Sequence, residues 1–473
     1  MSYSELEKII LTKNPKADLD LLKLAYEFAE NAHQGQTRLS GSPYITHPLE
    51  TAKTLAQIGL DQSSIIAALL HDVPEDTGLP ISRIEKEFGG EVAALVSGVT
   101  KLGQVKYRGI EKYVENLRAM FVAMAKDIRV ILIKFADRLH NLNTLEYLDE
   151  EKRRRIGIET LEIYAPIAGR LGISEFKDKL EDAAFKHAMP QEFERTENLM
   201  NEHLENRIKA LEESKRVLEK VLEDQGINCV FIQGRYKALY SLYKKLLTHG
   251  SDITKIHDLV ALRVVLETVS DCYAVLGYVH QLWMPLNGRI KDYIANPKPN
   301  GYRSIHTTVF GENNIITELQ IRTEEMHEQA EYGIAAHWQY KEGGRKLPEK
   351  INSWVQELAK WHLEVPDIEQ YLETIKIEAF QDRIFVFTPK GDVIDLPEFS
   401  TPVDFAYKVH TDLGNRCVGA YVNDHFVALD TKLKSGDMVH IIVDKNRKTP
   451  SLDWLKFVKT LHAKNQIRKA HQY

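Results

Sequence analysis

The sequence predicts a multidomain protein of α and α/β class: an all-α first domain, an α/β second domain and a small β-grasp-like third. Three observations predict it. Apolar residues recur with a helical period up to about residue 225; short β-branched runs then alternate with helical stretches; a hairpin, a helix and further strands follow after residue 380. The length of 473 residues fits about three or four domains at roughly 100–200 residues each.

In the first part, Leu21, Leu24, Ala25, Phe28, Ala29 and Ala32 fall on one helical face. Residues 63–70 form a strongly apolar helix that runs into His71 and Asp72, and 128–135 another that runs into Asp137. Between 191 and 225 the pattern turns charged. Leu204, Ile208, Leu211, Leu218 and Leu222 are spaced as a seam that Lys215 interrupts, which reads as a connecting helical hairpin. From Gly226, the runs 227–232, 259–266, 305–310 and 315–321 read as strands. Residues 341–350 read as a linker, followed by an amphipathic helix around 354–361. Strands 383–388 and 393–396 flank the turn 389–392. Thr401, Pro402 and Asp404 supply cap, first-turn proline and third-position carboxylate of a helix, and 418–422, 426–429 and 439–443 add strands. The tail after Asp444 is basic and expected to be helical. The expected divisions are thus 1–190, connecting helices 191–225, 226–340, linker helix 341–380, 381–445 and the tail 446–473.

Composition narrows the function classes. Charge is nearly balanced at −6, and 43% hydrophobic residues supply several cores, so the chain is not disordered. No apolar run approaches the ~18–20 residues of a membrane span, and the opening MSYSELEKII has no signal-peptide layout, so no membrane partner and a cytoplasmic protein are expected. Cys229, Cys272 and Cys417 lie too far apart for a disulfide framework or a cysteine metal site.

His47, His71, Asp72 and Asp137 are the first chemical candidates. Imidazole and carboxylate together suit a divalent first-row metal and leave positions open for water and substrate. Glu75 and Asp76 follow by four residues; if the helix continues they sit one turn on, where a carboxylate orients or deprotonates a water. Asn141 and Thr144 share the helical face of Asp137. A lone His-Asp pair is usually a surface pair. Here several polar groups end otherwise apolar helices, where burial without a partner is costly.

In the second domain, Lys237, Ser241, Lys244 and Lys245 recur at helical spacing after Arg235 and converge on one polyphosphate, or else form a solvated basic face. Asp258 heads an apolar run containing Arg263, as a magnesium ligand would at a strand edge. Glu318 alternates with apolar neighbours on another strand and can meet Asp258 across the sheet, to share the metal or accept a proton from an attacking hydroxyl. The loop 289–306 gathers Arg289, Lys291, Lys298 and Arg303 around Tyr293 and Tyr302, a cation-and-aromatic mixture suited to a nucleotide or to an RNA contact; no P-loop pattern occurs.

Five motifs carry a resemblance: Ser40-Gly41-Ser42-Pro43-Tyr44-Ile45-Thr46-His47-Pro48, His71-Asp72-Val73-Pro74-Glu75-Asp76, Asp137-Arg138-Leu139-His140-Asn141, the loop 291–306, and Ala335-Ala336-His337-Trp338. In order and extent the chain resembles the RelA/SpoT homologue family of synthetase/hydrolases of the alarmone (p)ppGpp. The resemblance implies an HD-type, Mn²⁺-dependent hydrolase, with His47, His71, Asp72 and Asp137 as metal ligands and Glu75 and Asp76 as water-activating acids. Arg38, Ser40, Tyr44, Asn141 and Thr144 fall where the family contacts nucleotide; Leu39 stands where Lys is frequent and Ser42 where Glu is usual.

For the second domain the resemblance implies a Mg²⁺-dependent pyrophosphokinase of nucleotidyltransferase-like fold, moving the β,γ-pyrophosphate of ATP to the 3′-hydroxyl of GDP or GTP. Asp258 and Glu318 match its carboxylates, Tyr302 its guanine-stacking residue, Arg235, Lys237, Ser241, Lys244 and Arg263 its ATP site, and Lys298 and His306 phosphate contacts. The sequence Arg289-Ile290-Lys291-Asp292 resembles the basic charge motif of bifunctional members. Residues 383–443 resemble the TGS module, with His410 on a motif that meets uncharged tRNA on the ribosome. A bifunctional enzyme of the stringent response is expected. The competing readings are a ribosome- or tRNA-binding regulator that senses nucleotide, and a chain with hydrolase activity alone.

Overall fold

The computed structural model describes residues 2–103, 110–256, 258–298, 301–338, 355–356, 383–447 and 449–471. The linker expected at 341–350 and most of the helix expected around 354–361 lie outside these. The chain divides into two compact units, Met1–Lys360 and Trp361–Tyr473.

The first unit begins with α1 (Tyr3–Lys13), α2 (Leu19–Ala32), α3 (Thr46–Gln57), α4 (Gln62–Leu70), α5 (Val73–Asp76), α6 (Ile81–Gly103), α7 (Ile110–Lys126), α8 (Arg129–Leu142), α9 (Glu150–Glu159), α10 (Ala165–Arg170) and α11 (Ser174–Ala188). Side-chain caps set several starts: Asp18 accepts from Leu21 N, Asp61 from Ser64 N and Asp149 from Lys152 N. Helix α4 is buried all round from Ser64 to Leu70, and α8 buries Val130–Ile133, Phe135, Ala136 and Asp137. Helix α4 is apolar nearly all round and α8 along one broad face, and they pack on one another and on α3 and α6. His71, at the end of α4, and Asp137, inside α8, are therefore carried inward.

Helix α4 does not continue through Glu75 and Asp76. It ends at Leu70, and α5 starts afresh with Pro74 in its first turn. Proline has no N–H to return to the Leu70 carbonyl, so the ladder breaks there. The hairpin expected between 191 and 225 is instead one helix of 35 residues, α12 (Pro190–Asp224). No glycine or proline interrupts residues 191–225, so nothing turns the chain. Its buried seam is Leu211, Ser214, Leu218 and Leu222; small Ser214, not Lys215, takes the inner place.

Beyond it come β1 (Cys229–Tyr236), α13 (Leu239–Thr248), β2 (Val260–Leu266), α14 (Val269–Leu282), β3 (Lys291–Asp292), β4 (Ile305–Phe310), β5 (Ile316–Thr323) and α15 (Glu324–Tyr332). The strands form one sheet in the order β1-β2-β5-β4-β3, with β2 and β5 parallel and the other pairs antiparallel. Register divides the sheet into two chemically distinct faces. Arg235 pairs with Ala261, Ala261 with Glu318 and Glu318 with Thr308; two residues along, Gln233, Arg263, Gln320 and His306 form the next row. Because side chains alternate, that face holds the polar groups. The opposite face presents Ile232, Leu262, Val264, Leu319, Ile321, Ile305 and Val309 to α12 and α14, through Leu211, Leu218, Leu222, Cys272, Val275 and Val279.

The second unit pairs β6 (Arg383–Phe387) with β7 (Val393–Pro397) as a hairpin, turning at Gly391 with φ +88°. Helix α16 (Pro402–Val409) follows with a full capping box between Thr401 and Asp404, then α17 (Thr411–Asn415). A three-stranded sheet orders β10 (Val439–Val443), β8 (Cys417–Val422) and β9 (His425–Val427), and Phe387 bridges in parallel to Met438. The basic tail forms α18 (Leu461–Lys469), and Trp454, Val458, Ala463 and Ile467 join the same core as Val403, Phe405 and Tyr407.

Candidate functional site

The start of α3, the end of α4 and the inner face of α8 gather the expected metal donors. One ligand atom each from His47, His71 and Asp137 lies within 4.8 Å of the others, all three residues buried. His47 Nε2 is 3.2 Å from Asp137 Oδ1 and 3.4 Å from Asp72 Oδ2, and His71 Nε2 is 3.1 Å from Asp72 Oδ1. His71 Nδ1 donates to the Ala68 carbonyl at 2.8 Å, which turns Nε2 toward Asp72 and Asp137. Among the described residues that buried Nε2 makes no well-directed hydrogen bond, although Asp72 Oδ1 lies 3.1 Å away. Burial disfavours charge on His71, yet Asp72 beside it and Asp137 push its imidazole up to about 9. Burial opposes ionisation of Asp137 as well, but Lys134, 2.7 Å from Oδ2, and His47 hold its carboxyl well below the usual range. A carboxylate pair that draws a proton onto a buried imidazole also suits a divalent cation, and imidazole with carboxylate fits that donor chemistry.

The remaining expected residues surround this cluster. Tyr44 Oη donates to Asp72 Oδ2 at 3.0 Å and also to Asp76, tying the break after α4 together. Glu75 sits within the fields of Asp72, Asp76 and Asp137, and partial burial raises its carboxyl. Asn141 Nδ2 donates to Asp137 Oδ1 at 2.6 Å and its Oδ1 accepts from Arg38 Nη2 at 2.7 Å. A cavity of about 270 Å³ is lined by Arg38, Ser40, Asp137, Asn141 and Thr144. His140, within the motif Asp137–Asn141, carries no role legible from the sequence. Its Nδ1 is 2.7 Å from His47 Nδ1, and burial with the nearby His47 pushes it down to about 4, so it stays neutral.

A second polar cluster lies on the sheet face. Asp258 Oδ2 accepts from Lys237 Nζ at 2.7 Å and from Lys245; burial opposes its charge, but these two ammonium groups bring it down to about 2. Glu318 Oε1 is 3.1 Å from His306 Nδ1, and His306 Nε2 is 2.7 Å from Tyr302 Oη, a continuous Tyr302–His306–Glu318 chain. Burial works against charge on Glu318, His306 and Gln320 hold its carboxyl down, and Asp258 pushes it back up, so the two carboxylates share one field. Lys298 Nζ lies over the rings of Tyr293 and Tyr302 at 4.6 and 4.9 Å. Arg235 and Arg263 rise from neighbouring strands and both approach Glu331.

Lys244 and Ser241 meet a group the sequence did not signal: Glu181 of α11, 2.9 Å from Lys244 Nζ and 3.4 Å from Ser241 Oγ. Next to it, Asp182 accepts from Leu239 N and Tyr240 N, capping α13 where Ala238 has no side chain to do so. In the second unit, exposed His410 joins α16 to α17 and accepts from Asp412 N at 3.1 Å.

Comparison with known proteins follows the same order along the chain. Residues 25–174 match the HD domain, 234–345 the region found in RelA / SpoT proteins and 384–443 the TGS domain. The chain is 48% identical to a GTP pyrophosphokinase of Myxococcus xanthus, over 96% of this chain and 61% of that one. It is 47% identical to a guanosine-3′,5′-bis(diphosphate) 3′-pyrophosphohydrolase of Aquifex aeolicus, over 95% of this chain and 64% of that one. It is 46% identical to the bifunctional (p)ppGpp synthase/hydrolase RelA of Mycobacterium tuberculosis, over 96% and 63%. The chain thus spans about three fifths of the length of the curated relatives it matches.

Fold and site together define an HD-type domain with a divalent-metal site, joined to an α/β synthetase-type domain and followed by a TGS domain. The chain belongs to the RelA/SpoT homologue family.

Proposed function

We propose that this chain is a bifunctional alarmone enzyme, moving pyrophosphate from ATP to the 3′-hydroxyl of GDP or GTP and removing it again from (p)ppGpp. Residues 1–190 are assigned the hydrolysis, 226–340 the synthesis and 381–445 the TGS role. The observation that carries the reading is that two separate polar clusters, His47–His71–Asp72–Asp137 and Asp258–Glu318 with its cations, are both intact in one chain.

In the hydrolase, His47, His71, Asp72 and Asp137 would hold Mn²⁺. Bound there, the ion supplies Lewis-acid polarisation of phosphate and acidifies water. The chain's own residues do the rest. Glu75 and Asp76 take the proton from the attacking water, Asp76 aligned by Tyr44. Arg38, Ser40, Asn141 and Thr144 line the cavity that receives the nucleotide. Water adds to the phosphorus next to the 3′-oxygen, the P–O3′ bond breaks, the proton held by Glu75 and Asp76 passes to the 3′-oxygen, and pyrophosphate and the nucleotide with a free 3′-hydroxyl leave.

In the synthetase, Asp258 and Glu318 would hold Mg²⁺, which offsets polyphosphate charge. Tyr302 stacks on guanine while Lys298 and His306 meet phosphate. Glu318, oriented by His306, accepts the 3′-hydroxyl proton as that oxygen attacks the β-phosphorus of ATP and AMP departs. Arg235, Lys237, Ser241, Lys244 and Arg263 hold the triphosphate donor. The TGS unit, through His410, would meet uncharged tRNA on the ribosome in the cytoplasm. Among the described residues no helix is long and apolar enough to cross a membrane.

The deciding experiment incubates the chain with labelled ATP and GDP. Labelled ppGpp should accumulate with Mg²⁺ alone and disappear once Mn²⁺ is added. Asp258→Ala should abolish only the first change and His71→Ala only the second. A chain that performs neither reaction refutes the proposal.

A further inference from the structure

We infer that Glu331, near the end of α15, is a positioning residue that holds Arg235 and Arg263 as a paired cationic clamp for the nucleoside triphosphate. The inference rests on the proposed reading of the sheet face as the synthetase site.

Three guanidinium groups converge on this one carboxylate. Glu331 Oε1 is 2.8 Å from Arg263 Nη2, 3.0 Å from Arg322 Nη2 and 3.7 Å from Arg235 Nη1. The arginines come from the adjacent strands β1, β2 and β5, and register sets all three on the polar face. Arg263 is 3% and Arg322 1% exposed. Like charges at such depth repel one another, and burial with Arg322 nearby brings Arg263 down to about 9. Glu331 offsets one of the three positive charges and Asp178, 3.8 Å from Arg235 Nη2, a second, which leaves an excess of about one. That excess complements a polyphosphate rather than a neutral ligand.

The hydrogen bonds point the same way. Among the described residues, Arg263 Nε and Nη2 and Arg322 Nε are buried without a hydrogen-bond partner. Glu331 therefore holds Arg263 by charge, off the line of a hydrogen bond, and fixes where its guanidinium sits on the polar face. The placement of Glu331 is built into the helix that carries it. Thr323 at the end of β5 caps α15 by accepting from Met326 N, and Gly333 closes it at φ +51°. A Cβ at Gly333 would stand 2.5 Å from the Gly172 backbone carbon, so only glycine lets this helix end seat against the turn before α11.

The test compares the full chain with Glu331→Gln and Glu331→Asp. Binding of a non-hydrolysable ATP analogue is measured by equilibrium dialysis, alongside KM and kcat for pyrophosphate transfer and the rate of ppGpp hydrolysis. Glu331→Gln should weaken analogue binding and raise the ATP KM about tenfold, with kcat, the GDP KM and hydrolysis within about twofold of the parent; Glu331→Asp should recover part of the loss. Unchanged analogue binding in Glu331→Gln overturns the inference, as does a parallel loss of every readout, which marks a purely structural residue. A parent chain that binds the analogue without transferring pyrophosphate refutes the synthetase reading, and the dialysis arm still decides the role of Glu331. A parent that binds no analogue overturns both.

Discussion

Glu181 Oε1 lies 2.9 Å from Lys244 Nζ, so a carboxylate of the hydrolase-type domain occupies a cation assigned to ATP. Helix α11, which carries Glu181, also packs on α8, which carries Asp137. One helix therefore meets the second site through Glu181 and backs the helix that carries Asp137 in the first, a link the sequence reading of 191–225 as the connection does not contain. Glu181 is 4% exposed and Lys244 37%, so the pair is half in solvent and worth ~0.5–1 kcal/mol. Glu181→Gln should free Lys244 for phosphate and lower the ATP KM about two- to fivefold. Steady-state kinetics of pyrophosphate transfer measure it; an unchanged or raised KM means Glu181 does not compete with the nucleotide.

His71 Nε2, turned to the carboxylates of Asp72 and Asp137, leads to a metal prediction. Isothermal titration with Mn²⁺ should give one tight site in the parent and lose it in His71→Ala. An ion at a hundred times its Kd contributes about 2.7 kcal/mol, so the parent's first unfolding transition should rise by several degrees with Mn²⁺ and that of His71→Ala should not. His140 tests the surrounding shell. If Nδ1–H of His47 donates to His140 Nδ1, His140→Gln keeps an acceptor and retains most of the affinity, while His140→Ala loses about ten- to a hundredfold. Equal Mn²⁺ affinity in the parent, His140→Gln and His140→Ala would remove His140 from the shell.

These partners show where sequence reading reaches and where it stops. The alternation Thr317, Glu318, Leu319, Gln320, Ile321 already announces a strand with one polar face, and strand register then brings Arg263 and His306 onto that face. The apolar run before His71 likewise states that this residue ends an interior helix, whereas Asp137 does not end its own: α8 runs on five residues to Leu142, with no glycine or proline to stop it. Pairings across the fold leave no such trace. Glu181 meets Lys244 from 63 residues away, and nothing in its local composition separates it from any other helical glutamate. Two local signals were legible but outweighed: Pro74, which breaks the helix after Leu70, and the absence of glycine or proline from 191–225, which makes a hairpin there untenable.

Thiol chemistry gives a pH-dependent check on the packing of both units. Burial pushes the thiols of Cys229 and Cys417 up to about 11 and that of Cys272 to about 12, from an ordinary 9.0. The thiolate is the nucleophile, so each raised unit removes tenfold of it at a given pH below the pKa. At pH 8 the native chain should react with iodoacetamide about a hundredfold more slowly than the urea-unfolded chain, and the rate should still climb as pH passes 9. Rapid labelling of any of the three in the folded protein, read by mass spectrometry, would contradict this burial.

Asp404 carries the last prediction, on what joins the basic tail to the TGS core. Its carboxylate is fully buried. Oδ2 accepts from Thr401 N at 2.9 Å and Thr401 Oγ1 at 2.8 Å, while Oδ1 accepts from Lys459 N, Thr460 N and Thr460 Oγ1 at 3.0, 2.8 and 2.9 Å. One side chain thus caps α16 and anchors the start of α18, fifty-six residues on from it. Asp404→Ala strands several buried backbone donors at ~1–3 kcal/mol each, for a total loss of roughly 3–5 kcal/mol. In a unit of this size that lowers Tm by more than about 10 °C. Asp404→Asn keeps one acceptor oxygen and should lose about half as much. Calorimetry of the full chain separates the outcomes: the transition of the second unit should fall while hydrolysis by the first stays at the parent rate. A shift under about 2 °C would show that Thr401 and Thr460 find other partners and that the tail is held by Trp454, Val458 and Ile467 alone.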